Sequence, residues 1–178
     1  MEWLNEPASW QKEGNKVIMT AGAKTDFWRK TRHDFIVDNG HFYFQPVTRN
    51  FTASVKVTGD YKELYDQAGL MVRLDETTWV KCGVEFVEGV QYASAVVTRE
   101  FSDWSVVHLT GNPTSMWFRI SRYNEAVEVD YSLDGKDYRM LRQAYFTETE
   151  TIQVGLMCAA PQGDGFTVRL EDFQVRQL

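Results

Sequence analysis

The 178-residue chain holds 43% hydrophobic and 14% aromatic residues with 12 Gly and 4 Pro, enough apolar material for a single domain over 1–178 with a substantial core. Its 19 Lys and Arg against 25 Asp and Glu leave a net charge of −6, and no basic cluster stands out. Nucleic acid and anionic membrane are therefore not expected as partners, since both need a concentrated positive face.

No apolar run approaches the roughly 18 residues of a membrane span. The opening Met1-Glu2-Trp3-Leu4-Asn5-Glu6 lacks the basic start and apolar run of an export signal, so a cytoplasmic location is expected. Cys82 and Cys158 each sit in an apolar stretch without a Cys or His at ligand spacing, which favours buried free thiols. The sequon Asn50-Phe51-Thr52 has no export signal to give it meaning.

Apolar residues recur at every second position through most of the chain, and no window of more than about ten residues shows a helical period. The alternation predicts strands near 8–13, 16–21, 41–46, 51–58, 67–75, 78–87, 91–98, 103–109, 115–123, 126–133, 137–143, 151–160 and 165–176. A short helical turn is expected only around Tyr61-Lys62-Glu63-Leu64-Tyr65. Gly14-Asn15 and Asp134-Gly135 read as two-residue hairpin turns. The second of these would set Tyr131 opposite Tyr138 and Val129 opposite Met140. So many antiparallel strands without a repeat are best buried as a two-sheet jelly-roll sandwich.

A polar face follows from one hairpin. Closing it on Asp75-Glu76-Thr77 sets Gln67 opposite Glu85, Met71 opposite Lys81 and Arg73 opposite Trp79. A two-residue shift would oppose Arg73 to Lys81, so the register with guanidinium over indole is preferred. Tyr92 or Ser94 would lie beside Glu85 on the next strand, and Trp117 and Arg119 would join the same face. Flat aromatics stack on the C–H faces of sugar rings while planar polar groups engage hydroxyl pairs. The candidate ligand-binding set is thus Gln67, Arg73, Trp79, Lys81, Glu85 and Arg119, with Trp28 and Trp104 as end walls. The plainer reading is a solvated sheet face laced with cross-strand pairs. For Asp26-Phe27-Trp28-Arg29 and Ser102-Asp103-Trp104-Ser105 it is an acid or hydroxyl tying down a turn while the Trp plugs the end of the sandwich.

Catalytic patterns are wanting. Retaining sugar hydrolysis needs two carboxyl groups about 5 Å apart on one face, whereas Glu85 and Glu88 fall on opposite sides of an extended strand. A second acid would have to come from Asp26, Asp103 or Asp130. His33, His41 and His108 have no ligand spacing, so neither a metal nor another cofactor is expected.

Five segments recur in order: Asp26-Phe27-Trp28-Arg29; Tyr65-Asp66-Gln67-Ala68-Gly69-Leu70-Met71; Trp79-Val80-Lys81-Cys82-Gly83-Val84-Glu85, followed by Val97-Thr98; Ser102-Asp103-Trp104-Ser105; and Tyr131-Ser132-Leu133-Asp134-Gly135. With these the chain resembles domain of unknown function 1349, a family of the concanavalin A-like lectin/glucanase fold that includes fungal regulators of enolase. The resemblance implies an all-β, two-sheet antiparallel jelly roll, with no family catalytic residues to carry over. It supports two classes of partner: a carbohydrate or small polar ligand bound by a non-catalytic lectin-like module, or a protein partner in the case of a regulatory module acting on a metabolic enzyme. A glycoside hydrolase is the weaker third reading, because the glucanase acid pair on one strand is missing.

Overall fold

The computed structural model describes residues 1–178, with sixteen strands and no helix, hence no helix able to cross a membrane. In chain order they are β1 (Glu2–Leu4), β2 (Trp10–Glu13), β3 (Lys16–Thr20), β4 (Phe27–Arg29), β5 (Ile36–Asp38), β6 (His41–Thr48), β7 (Phe51–Gly59) and β8 (Gln67–Arg73). There follow β9 (Thr78–Val87), β10 (Val90–Arg99), β11 (Phe101–His108), β12 (Met116–Tyr123), β13 (Ala126–Ser132), β14 (Arg139–Tyr145), β15 (Thr151–Ala159) and β16 (Thr167–Gln177).

Two seven-stranded antiparallel sheets form the jelly-roll sandwich, one ordered β1-β6-β15-β8-β9-β10-β11 and the other β14-β13-β12-β7-β16-β3-β2. Their facing sides enclose the main core. Phe51, Ala53, Val55 and Val57 of β7 point into it, as do Leu70 and Val72 of β8, Val80, Cys82 and Val84 of β9, and Val154 and Leu156 of β15. This is the two-residue beat of the sequence made physical. Cys82 and Cys158 are buried and unpaired, and burial pushes both thiols far above their ordinary range.

In β8 and in Val80–Glu85 of β9, residues on both faces are buried. One face meets the core. The other lies under β4 and β5, which pair with each other as a separate two-stranded sheet. These two strands, like β1, are only three residues long, too short to show an alternation.

Two local expectations are corrected. No helical turn forms over 61–65; a single hydrogen-bonded turn from Glu63 to Asp66, with Tyr65 at φ +68°, takes its place, and the Asp66 carboxylate accepts the N–H groups of Lys62 and Glu63. Nor is Asp134-Gly135 a two-residue turn. Asp134 and Gly135 donate their N–H groups to Ser132 Oγ, and Lys136 and Asp137 donate theirs to Asp134 Oδ1, which widens the connection. The register beyond it moves accordingly: Tyr131 faces Arg139, and after a bulge Val129 faces Arg142, leaving Met140 exposed. Gly14-Asn15 does close the two-residue hairpin, with Glu13 opposite Lys16 and Gly14 at φ +60°.

Candidate functional site

The face of β8, β9 and β10 turned away from the core is half covered by the β4–β5 hairpin. Beneath it lies a second apolar cluster: Phe27 of the hairpin with Phe42, Met71, Trp79, Val96 and Met157 of the sheet. Phe27 meets Trp79 edge-on at 6.2 Å between ring centres. Polar ties hold the hairpin down at both ends. Arg73 grips Asp38 through two hydrogen bonds of 2.6 and 2.7 Å. Lys81 Nζ donates to the Phe27 carbonyl at 2.7 Å and lies 3.3 Å from Asp26 Oδ1. Arg29 donates its N–H to Ser102 Oγ at 2.9 Å and pairs with Glu100 at 3.1 Å.

The register over β8 and β9 is the expected one, with Gln67 opposite Glu85, Met71 opposite Lys81 and Arg73 opposite Trp79. The cation over the Trp79 ring is Lys81, however, at 5.6 Å, while Arg73 stands over Phe27 at 6.0 Å. Glycine sets the shape of the floor: a Cβ on Gly69 would strike the Cys82 carbonyl, and one on Gly83 the Ala68 carbonyl. At this pair the strands approach too closely for any side chain.

Where the hairpin stops, the face opens into a cleft of about 160 Å³. Its floor carries Gln67, Lys81 and Glu85, and its walls carry Trp28, Tyr65 and Trp104, with Asp26 at the hairpin root. Trp28 is fixed by an Nε1–H bond to the Thr31 carbonyl at 3.1 Å and by an edge contact with His33, which stacks on Phe35. Trp104 is fixed from below, donating its Nε1–H to Glu85 Oε2 at 2.8 Å, and it meets Tyr65 edge-on.

Glu85 binds its proton more tightly than an ordinary carboxyl group, chiefly because burial disfavours the charge. Lys81 and the donors Ser94 and Trp104 offset this only in part, and the charge of nearby Asp26 adds to it. Of the three acids considered as partners for Glu85, Asp26 enters this cleft, Asp103 lines its outer end, and Asp130 is on the other sheet, paired with Arg119. Asp26 Oδ1 lies near Lys81, Gln67 and the Phe27 N–H. No group of three or more His, Cys, Asp or Glu side chains is placed so that it could hold a metal ion.

The cleft therefore brings together Trp28, Gln67, Lys81, Glu85 and Trp104 of the expected residues. The other three stand elsewhere. Trp79 is fully buried under Phe27, and Arg73 is engaged by Asp38 beneath the same hairpin. Arg119 belongs to the second sheet, against Asp130 and the Tyr138 ring, because β12 pairs with β7 and β13 and not with the strands of the cleft. Trp117 lies on that far side too, below Lys56. Tyr65 and His33 line the cleft as well; the docking of loops across the sheet places them, which strand parity does not report.

The sequence comparisons agree with this architecture. The family model described as "Protein of unknown function (DUF1349)" matches residues 3–178. The chain is 38% identical over 173 residues to the Saccharomyces cerevisiae protein named "Regulation of enolase protein 1", covering 97% of this chain and 87% of that one. A solved S. cerevisiae protein described as functionally unknown superposes with a TM-score of 0.95 at 37% identity, covering 99% of this chain and 96% of the other. Two more distant structures share the fold alone. The GH43 protein BlXynB of Bacillus licheniformis has a TM-score of 0.76 at 16% identity, over 97% of this chain and 36% of that one. The carbohydrate binding module CBM66 of Bacillus subtilis has a TM-score of 0.62 at 10% identity, over 98% and 95%. By sequence over nearly its whole length, and by a fold that matches, the chain belongs to the DUF1349 family.

Proposed function

We propose that the protein is a non-catalytic binding module whose cleft receives a carbohydrate or similar polar ring. One observation carries this reading: Trp28, Tyr65 and Trp104 wall a small cleft whose floor is Gln67, Lys81 and Glu85. Aromatic walls offer stacking surfaces to ring C–H groups, and the floor offers hydrogen-bonding groups to hydroxyls. The hairpin blocks the face at one end of the cleft, which suits a terminal or single ring better than a chain running through. That a carbohydrate binding module shares the fold is consistent with this reading. Asp26 and Glu85 lie in one cleft, but Asp26 already serves Lys81 and its own turn, so binding is preferred over hydrolysis.

Lys81 is a poor probe because it also holds the hairpin. Trp104 is better, being 43% exposed on an edge strand. Calorimetric titration of monosaccharides should give saturable binding, weakened at least about tenfold in Trp104→Ala, with a fall in melting temperature of only about 2–4 °C from the lost bond to Glu85. Absence of saturable binding across a broad glycan panel would overturn the reading, and turnover of nitrophenyl glycosides would replace it with hydrolysis.

A second reading, a regulatory module for a metabolic enzyme, draws on the name of the yeast relative and on exposed Phe101, Trp104 and Val106 along β11. Capture of such an enzyme from lysate that persists in excess free sugar favours it, whereas release by sugar favours the cleft.

A further inference from the structure

The cleft continues past Glu85. Beyond Trp28, His33, Tyr65 and Trp104 it widens toward Arg32 at the hairpin tip and Arg142, which reaches over from β14. Other arginines near the hairpin are paired, Arg29 with Glu100 and Arg73 with Asp38, but neither Arg32 nor Arg142 has an ion-pair partner. Arg142 makes one hydrogen bond, from Nη1 to Ser105 Oγ at 3.2 Å, and its Nε–H is buried without a partner. The hydroxyl of Thr31, in the same chamber, is also buried and unpartnered. Asp103 is the chamber's single acid, so two guanidinium charges face one carboxylate.

Arg32 is exposed and Arg142 half-buried, so both guanidinium groups are open to a ligand, while the shielded Nε–H of Arg142 lacks the partner an anion would supply; the planar guanidinium fork matches carboxylate and phosphate oxygens. We propose that this outer chamber takes a phosphate or carboxylate substituent of the sugar whose ring sits in the inner one, so that the ligand class is monosaccharide phosphates and sugar acids. This rests on the reading of the inner cleft as a ring site.

Titration of the full chain with glucose, galactose and mannose, with their 6-phosphates, with glucuronate and with inorganic phosphate tests it. The charged sugar should bind at least about tenfold more tightly than its neutral parent. In Arg32→Gln/Arg142→Gln that ratio should fall to about one while affinity for the neutral sugar holds. Arg32 is exposed, so Arg32→Gln alone reads out the same loss in part if the Arg142 variant is unstable. Equal affinity of charged and neutral sugars for the wild type, or an advantage that survives the double substitution, overturns this inference and leaves the ring site standing. No binding of any sugar overturns both.

Discussion

Trp104 and Glu85 are joined across an intervening strand: the indole Nε1–H donates to Glu85 Oε2 at 2.8 Å, and Ser94, on the strand between, donates to the same oxygen at 2.6 Å. A wall aromatic and a floor carboxylate are thereby one unit. Trp104→Phe keeps a ring and removes the donor, a bond worth about 1 kcal/mol. Losing a donor that favours the ionised form should raise the Glu85 pKa further. Titration of the Glu85 side-chain carboxyl carbon by NMR checks this, and an unchanged pKa would mean that the bond does not form in solution.

Glu85 also makes stability depend on pH. Its folded pKa is raised, so between the unfolded value of about 4.3 and the folded one the native state holds more proton than the unfolded chain. That contribution is fully present below the unfolded pKa and is lost as pH rises through the folded pKa. Glu85→Gln carries no such titration. The melting temperature of the variant minus that of wild type should therefore increase as pH is raised from 4 toward 7. A difference that stays flat would show that Glu85 titrates normally.

The hairpin that shapes the cleft depends on the pair Arg73 and Asp38, whose side chains are 6% and 28% exposed. Asp38→Ala would leave the guanidinium unpaired beside Phe27, costing roughly 3 kcal/mol, the low end for a buried pair because Asp38 is partly wet. Limited proteolysis between Lys30 and Ile36 should accelerate in the variant. Arg73→Met together with Asp38→Ala should recover part of the lost stability, since an apolar pair leaves no stranded charge.

Strand parity was enough to place Gln67, Lys81 and Glu85 on one face, and the register followed from avoiding Arg73 opposite Lys81. The guanidinium does not lie over the indole, however: Arg73 stacks on Phe27, which comes from a hairpin 46 residues away in sequence with strands too short to show a pattern. The same blind spot misplaced Trp79. An outward Trp on a strand needs a cover, and alternation cannot tell a loop from a ligand. Arg119 erred differently: its parity was known, but not which sheet β12 joins, and sheet membership depends on long-range pairing. The Asp134 loop resisted because side-chain bonds from Ser132 and Asp134 override the dipeptide's turn preference.

Trp79 gives the sharpest contrast between covering and binding. It is completely buried below Phe27, yet its indole Nε1–H finds no acceptor. Trp79→Ala should cost about 3–5 kcal/mol by opening a cavity under the hairpin. Trp79→Phe also removes ring volume, but it eliminates the unpaired donor, whose burial costs about 1–3 kcal/mol. The two changes oppose each other, so Trp79→Phe should unfold within about 1 kcal/mol of wild type in urea, well above Trp79→Ala. A Phe variant as unstable as the Ala variant would mean that Nε1 has a partner in solution, such as a buried water. Because Trp79 does not line the cleft, Trp79→Phe should also leave sugar affinity unchanged, whereas Trp104→Ala lowers it.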